Sequence, residues 1–456
     1  MTKNTRLIVS IFGIGLLSFL GIVIETALNI AFPSLMQEFN ISAVTVQWLT
    51  SGYMIVSTLI IPFGSFLRKR FRALILFRVA AATFLIGTLC AATSNNFSIL
   101  LCGRLLQGVA DGICLPLMFS LILEQAPATK MGTFMGLGNL VIAFAPAVGP
   151  VYGGLILKNF TWNYLFWLIV PIIAVAWILG EISISQEQAL QRVPFDYQGG
   201  ALLVVLLVSS LLLIINLSSG ANINEALILL VLVVISCVLF VKVERGNSSG
   251  VVDITLFKNK QFVLFLLTFF LLQLISLSMS YLMPNTLQLA LKQTSDITGL
   301  LILPAAVIDA LMSILAGQIY DKISHKLPII LGLGIIIVAL LGAAINQLSV
   351  LSVVATYIIF MIGLGLSYGN IMTLSLSQLT ESEKNDGNAL YMTAQPFSGA
   401  IGTAMAASVM GLMQTQNSNL IIGTTAGYKS VQVILVMLAV SGLIFCLINL
   451  IGRKDS

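Results

Sequence analysis

About fourteen apolar runs of spanning length follow one another along this 456-residue chain and leave little between them. They fall near 7–29, 46–67, 73–92, 98–123, 133–157, 163–181, 197–217, 224–243, 260–283, 295–320, 327–347, 350–377, 387–412 and 431–451. A helix that crosses a bilayer needs roughly 20 apolar residues. The pattern therefore predicts an all-α polytopic membrane protein with no soluble domain of ordinary size. Composition agrees, since 58% of residues are hydrophobic and only 9% charged, whereas a soluble protein has about 25% charged residues. Mean hydropathy is +1.04. A water-soluble enzyme is excluded, and so is a disordered chain, because disorder goes with few hydrophobic residues. The first run, from Leu7, lacks a small-residue cleavage site and reads as a retained helix rather than a signal peptide.

The charges assign a side. An even number of spans puts both ends on the same side of the membrane. With the N-terminus in the cytoplasm, 17 of the 22 lysines and arginines fall in inner loops and tails. Outer loops hold three, Lys158, Lys292 and Lys429, and Arg78 and Arg104 lie within spans. An excess of this kind marks the cytoplasmic face, so both termini are expected there. It also accounts for the net charge of +5 without any nucleic-acid partner. The five cysteines, Cys90, Cys102, Cys114, Cys237 and Cys446, sit in apolar runs without paired or metal-ligand spacing and read as small hydrophobes. His325 is the only histidine, which leaves a histidine metal site or a serine–histidine–aspartate triad nothing to build on. No metal or cofactor is expected.

Two loops repeat a pattern. Gly64-Ser65-Phe66-Leu67-Arg68-Lys69-Arg70-Phe71-Arg72 follows the second run, and Gly317-Gln318-Ile319-Tyr320-Asp321-Lys322 follows the tenth. Each is a glycine at the end of an apolar helix followed by a tight charged turn, and the two lie 253 residues apart. That spacing predicts two homologous six-span halves with two spans inserted between them. The expected division is an N-terminal bundle over 1–185, the inserted pair over 186–250 and a C-terminal bundle over 251–456. Repeated halves with a site at their interface are a common transporter plan.

Four further stretches carry motifs. The first run ends in Glu25-Thr26-Ala27-Leu28-Asn29-Ile30-Ala31-Phe32-Pro33, and the second opens with Gln47-Trp48-Leu49 and runs through Gly52-Tyr53 to Pro62 and Gly64. The fourth contains Gly103-Arg104-Leu105-Leu106-Gln107-Gly108, then Gly112 and Pro116. The fifth contains Ala145-Pro146-Ala147-Val148-Gly149-Pro150-Val151-Tyr152-Gly153-Gly154. In this order and spacing the chain resembles the major facilitator superfamily, and within it the 14-spanning drug:proton antiporters of the EmrB/QacA type. The resemblance extends to Phe195-Asp196 before the seventh run and to the amphipathic stretch Asp253–Asn259 before the ninth. It implies the major facilitator fold, two six-helix bundles plus two extra helices, in the cytoplasmic membrane of a bacterium.

The motif of the fifth run has a physical reading of its own. Ala145, Gly149 and Gly153 are four apart and form one small-residue stripe where another helix can approach closely. Pro146 and Pro150 remove backbone hydrogen bonds and bend the helix. In the family, Gly149, Pro150, Gly153 and Gly154 correspond to the motif that marks exporters and forms gate packing. The inner-loop motif departs from the family pattern. An acid is usual where Arg68 stands, and only the second copy keeps one, at Asp321. The gating role is therefore in doubt for the first loop, where Gly64, Arg70 and Arg72 shape the turn or anchor the inner face, while Gly317 and Asp321 keep the pattern in the second.

Ionisable groups at membrane depth are expensive and point to function. Glu25 lies about 18 residues into the first run, roughly 27 Å at the helical rise, in the outer part of the bilayer. Arg104 lies at similar depth. The resemblance ties both to proton coupling, and a direct or water-mediated Glu25–Arg104 interaction is expected. Asp111, two turns beyond Arg104 on the same face, stands where the family usually has a small residue. Asp309 lies near mid-depth of the tenth run. Asp111 and Asp309, with Glu25, Tyr53 and Tyr281, are the expected lining of a substrate cavity. Two acids there suit an organic cation, and one of them serves equally as proton carrier, since desolvation favours the neutral carboxyl form. Arg78 and Glu124, near inner ends, are expected to snorkel.

These readings converge on proton-coupled efflux of lipophilic, cationic compounds by a monomeric transporter that alternates its access. Its partners are small lipophilic substrates, protons and the lipid bilayer. A dedicated exporter of a metabolite, lipid or peptide, with incidental multidrug activity, is the alternative on the same fold. A non-transporting sensor or intramembrane enzyme is disfavoured, because no loop carries a catalytic constellation.

Overall fold

Within a bilayer every backbone N–H and C=O must be satisfied inside the chain, which leaves the helix as the natural state of apolar runs such as these. A computed structural model describes residues 2–41, 43–185, 196–218, 223–245, 253–417 and 419–451, and they are helical with short connections and no strand among them. Phe195, Arg192, Arg453 and Lys454 lie outside the described residues.

Two compact units divide the chain. Unit 1 is Met1–Asp196 together with Lys384–Met392. It is built from α1 (Lys3–Phe39), α2 (Ala43–Ile60), α3 (Gly64–Arg70), α4 (Ala73–Ala92), α5 (Phe97–Gln125), α6 (Met131–Ala143), α7 (Ala145–Asn159), α8 (Tyr164–Trp167) and α9 (Val170–Ser183). Helix α5 is central, packing on α1, α2 and α4, and α1 also packs on α7 and α9. Unit 2 is Tyr197–Glu383 with Thr393–Ser456. It contains α10 (Tyr197–Ser218), α11 (Ile223–Glu244), α12 (Lys260–Asn285), α13 (Ser295–Lys322), α14 (Leu327–Ile345), α15 (Val350–Leu376), most of α16 (Glu381–Gln416) and α17 (Leu420–Ile451). There α15 packs on α12, α13 and α14, while α10 and α11 pack on each other.

Among the described residues, thirteen helices are long and apolar enough to cross a membrane. The expected run over 133–157 is not one of them, because it breaks at Phe144 into α6 and α7. The cause is local: Pro146 stands in the first turn of α7, where a proline suits a helix start and gives no backbone N–H to the turn before it. The outward faces are apolar, as on α11, where Ile228, Val231, Val234, Ile235 and Val238 are all more than half exposed. Such a surface suits contact with lipid.

Candidate functional site

Glycines set the helix spacing around the buried charges of unit 1. A Cβ at Gly108 would lie 2.7 Å from the Tyr53 carbonyl, and one at Gly112 would lie 2.7 Å from Ile60 Cβ. Helix α5 therefore approaches α2 more closely than any larger residue permits. That approach delivers the Ser57 hydroxyl to Asp111, donating to Oδ2 at 2.9 Å. Most hydroxyls in these spans instead return to their own helix, as Thr58 does to the Met54 carbonyl at 2.7 Å.

Arg104, fully buried, is held by neutral acceptors. Its Nε donates to the Leu49 carbonyl at 3.1 Å and its Nη1 to Gln107 Oε1 at 2.7 Å. Gln107 is fixed in turn by donating to Thr88 Oγ1 at 2.8 Å. The guanidinium lies over the Tyr53 ring, 4.2 Å from its centroid, a cation–π contact. A direct Glu25–Arg104 ion pair is not formed. Nε and Nη1 serve Leu49 and Gln107, Nη2 meets no partner, and Glu25 and Asp111 act on Arg104 through space. Sequence reasoning named Glu25, Arg104, Asp111 and Tyr53, and the structure gathers all four in one unit. It did not name Ser18, Ser57, Thr88 or Gln107 as site residues.

The small-residue stripe of α7 meets α1 beside this cluster. A side chain at Gly149 would strike Thr26 and the Val23 carbonyl, and a Cβ at Gly153 would lie 2.9 Å from the Ala27 carbonyl. Ala145 is fully buried. The residues of α1 that these glycines touch flank Glu25. Gly154 differs, with nothing within 4 Å of an added Cβ, so it lies off the packed face. Pro150 continues the helix between them.

The inner loop has its own charge network. Gly64 opens α3 where a Cβ would lie 2.9 Å from the Pro116 ring. Arg68, 2% exposed, donates to Glu124 at 2.5 Å in a buried pair. Glu124 therefore does not snorkel, because Arg68 neutralises it within the protein. Arg78, about half exposed, pairs with Glu181. Arg70 and Arg72 are exposed. The Lys384–Met392 stretch of unit 1 joins this network: Asp386 accepts from Lys69 at 2.8 Å and from the Ser65 hydroxyl, and Asn388 donates to the Pro116 carbonyl at 3.1 Å.

In unit 2, Asp309 is 8% exposed on α13. A Cβ at Gly365 of α15 would lie 3.0 Å from its Oδ1. Tyr357 and Tyr368 interact with it electrostatically, and the Tyr368 ring stacks on Phe269 at 4.3 Å. Tyr281 is half-buried on α12, Gly317 is buried near the end of α13, and Asp321 is half-exposed in its last turn.

The profile of the Major Facilitator Superfamily matches residues 14–403. The chain is 33% identical to the lincomycin resistance protein LmrB of Listeria monocytogenes over 439 residues, covering 93% of each. It is 26% identical to the multidrug export protein EmrB of Haemophilus influenzae, covering 88% of this chain and 80% of that protein. Among solved structures, the proton:xylose symporter XylE superposes with a TM-score of 0.66 at 16% identity, over 95% of each chain. The human organic anion transporter MFSD10 also gives 0.66, at 14% identity, over 97% of this chain and 100% of that one; at such identities these likenesses speak to the fold. With nearly its whole length matched, the chain is an integral membrane transporter, not an enzyme, and belongs to the major facilitator superfamily, in its EmrB/QacA-type branch.

Proposed function

We propose that this protein exports lipophilic, cationic compounds across the bacterial cytoplasmic membrane in exchange for protons. The observation that carries this reading is the buried cluster of unit 1. Two acids, Glu25 and Asp111, lie in the field of one guanidinium that is fixed on neutral acceptors. Protonating either carboxyl removes a charge from the field of that guanidinium, so a change in helix packing and a change in protonation drive each other. The α7 stripe, seated on the residues that flank Glu25, supports a coupling between that packing and access. The names of the LmrB and EmrB relatives support drug efflux as the direction and substrate class.

In this reading the chain acts as a monomer with both termini in the cytoplasm. The six-span halves 1–185 and 251–456 alternate access, and the pair within 186–250 is an insertion. Asp309, with Tyr281, contributes to cation recognition, and the two inner-loop motifs around Gly64 and Gly317 govern the inner face. The test is uptake of a lipophilic cation such as ethidium into inside-out proteoliposomes with an imposed pH gradient. Gradient-driven accumulation is expected in the wild type and its loss in Glu25→Gln. Accumulation of no lipophilic cation would overturn the reading, and selective transport of one uncharged metabolite would favour a dedicated exporter.

A further inference from the structure

Asp111 stands where the family motif has a small residue, and its surroundings say why an acid is tolerated there. Two helices bring hydroxyls to the carboxylate that α5 carries: Ser18 from α1, and Ser57 and Tyr53 from α2. All are deeply buried, with Ser18 1%, Tyr53 2% and Asp111 4% exposed. Ser57 serves Oδ2. The Ser18 and Tyr53 hydroxyls both interact with the Asp111 carboxylate, yet neither they nor Asp111 Oδ1 meet the geometry of a full hydrogen bond. Buried polar atoms are ordinarily well paired, so a carboxylate oxygen and two hydroxyls that interact without full hydrogen-bond geometry mark a place with hydrogen-bonding capacity to spare.

The chemistry of the cage selects what it receives. A hydroxyl can either donate or accept by rotating, so Ser18, Ser57 and Tyr53 satisfy both an ionised and a protonated carboxyl. A metal cation would gain only oxygen ligands and would sit in the field of Arg104, whose guanidinium lies on the ring of Tyr53, itself one of the cage residues. The charged and titratable groups that face Asp111 are Glu25 from α1, Tyr53 from α2, and Arg104 and Cys114 on its own helix.

We propose that Asp111, Ser18, Ser57 and Tyr53 form the proton-holding site of this transporter, with Tyr53 as the positioning residue that transmits its occupancy to Arg104. The proposal rests on the antiport reading and assigns the transported proton to one acid. A proton delivered by water from the outer side forms an O–H bond at Asp111 Oδ1, and that hydroxyl donates to Ser18 or Tyr53. The bond breaks when the proton passes to cytoplasmic water, with no change of oxidation state. Each cycle raises and lowers the charge beside Arg104 by one. Gly21 is part of the design, because any side chain there would strike the Tyr53 hydroxyl.

The test uses the full-length protein in proteoliposomes with tetraphenylphosphonium as probe. It compares pH-gradient-driven uptake with probe–probe counterflow at equal pH, which needs no net proton movement. Asp111→Asn is expected to cut driven uptake by at least about tenfold, within the usual range of coupling between sites, and to keep counterflow within about twofold of the wild type. Asp111→Glu should restore part of the driven rate. Tyr53→Phe, which keeps the ring over Arg104, should shift the pH midpoint of driven uptake and leave counterflow intact, and Ser57→Ala should shift it in the same sense. Driven uptake unchanged in Asp111→Asn, or counterflow lost together with it, would overturn the proposal, as would driving by a sodium gradient alone. Absence of gradient-driven uptake in the wild type would instead sink the antiport reading itself, and this proposal with it.

Discussion

Two acids read from the sequence as equivalent, Asp111 and Asp309, occupy opposite kinds of environment. Asp111 in unit 1 is ringed by hydroxyls and lies in the field of a buried arginine. Asp309 in unit 2 makes no hydrogen bond or ion pair among the described residues, and its electrostatic neighbours are two tyrosines. Hydroxyls that turn either way suit a group that gains and loses a proton in place. A buried carboxyl without a hydrogen-bond partner among the described residues, near two tyrosines, suits an organic cation, which brings the opposite charge and can contact aromatic side chains. Burial alone does not separate the two roles, because both residues are more than nine-tenths buried.

The comparison breaks most decisively at Asp309. Asp309→Asn should lower both driven uptake and counterflow of tetraphenylphosphonium by about 10²-fold, the upper range for coupling between sites, unlike Asp111→Asn, which spares counterflow. Equal behaviour of the two variants in the paired assays would erase the distinction. A smaller effect is expected from the packing that holds the cluster of unit 1 together. Gly149→Ala forces α7 off α1 and should destabilise the protein by about 1–3 kcal/mol, as overpacking does. Gly154→Ala, which meets nothing, should leave the melting temperature in detergent unchanged. Equal melting shifts would contradict the assignment of Gly149 to the α1 contact. The smallest effect concerns the rings near Asp309. Tyr368→Leu should weaken cation binding by a few-fold, consistent with a cation–π contribution of about 0.5–1 kcal/mol, whereas Tyr368→Phe, which preserves the stack on Phe269, should not. Titration with tetraphenylphosphonium by fluorescence quenching reads both.

Much of the fold was legible, because apolar runs of spanning length have one stable form in lipid. The run over 133–157 was the exception: its hydropathy predicts one span, while Pro146 makes the chain begin a new helix after Phe144. Of the site, the ionisable residues were visible because charge within an apolar run is conspicuous. Ser18 and Ser57 were not, since serines inside spans usually bond to their own preceding carbonyl, and nothing in the sequence shows which one turns to a neighbour. Gly108 and Gly112, placed to bring α2 against α5, carried that signal in spacing alone. Arg68 and Glu124 misled in the other direction. Glu124 reads as a residue that snorkels near an inner end and Arg68 as a departure from the usual acid, and the structure buries them as a pair.

The most direct test of the account is the movement of protons against substrate. Inside-out proteoliposomes carrying the protein, acidified within and loaded with a pH-sensitive dye, are given tetraphenylphosphonium outside. The account predicts that probe enters as protons leave, that a protonophore abolishes the accumulation, and that Asp111→Asn uncouples the two flows. Probe accumulation that proceeds at the same rate without a pH gradient, or with the protonophore present, would contradict it.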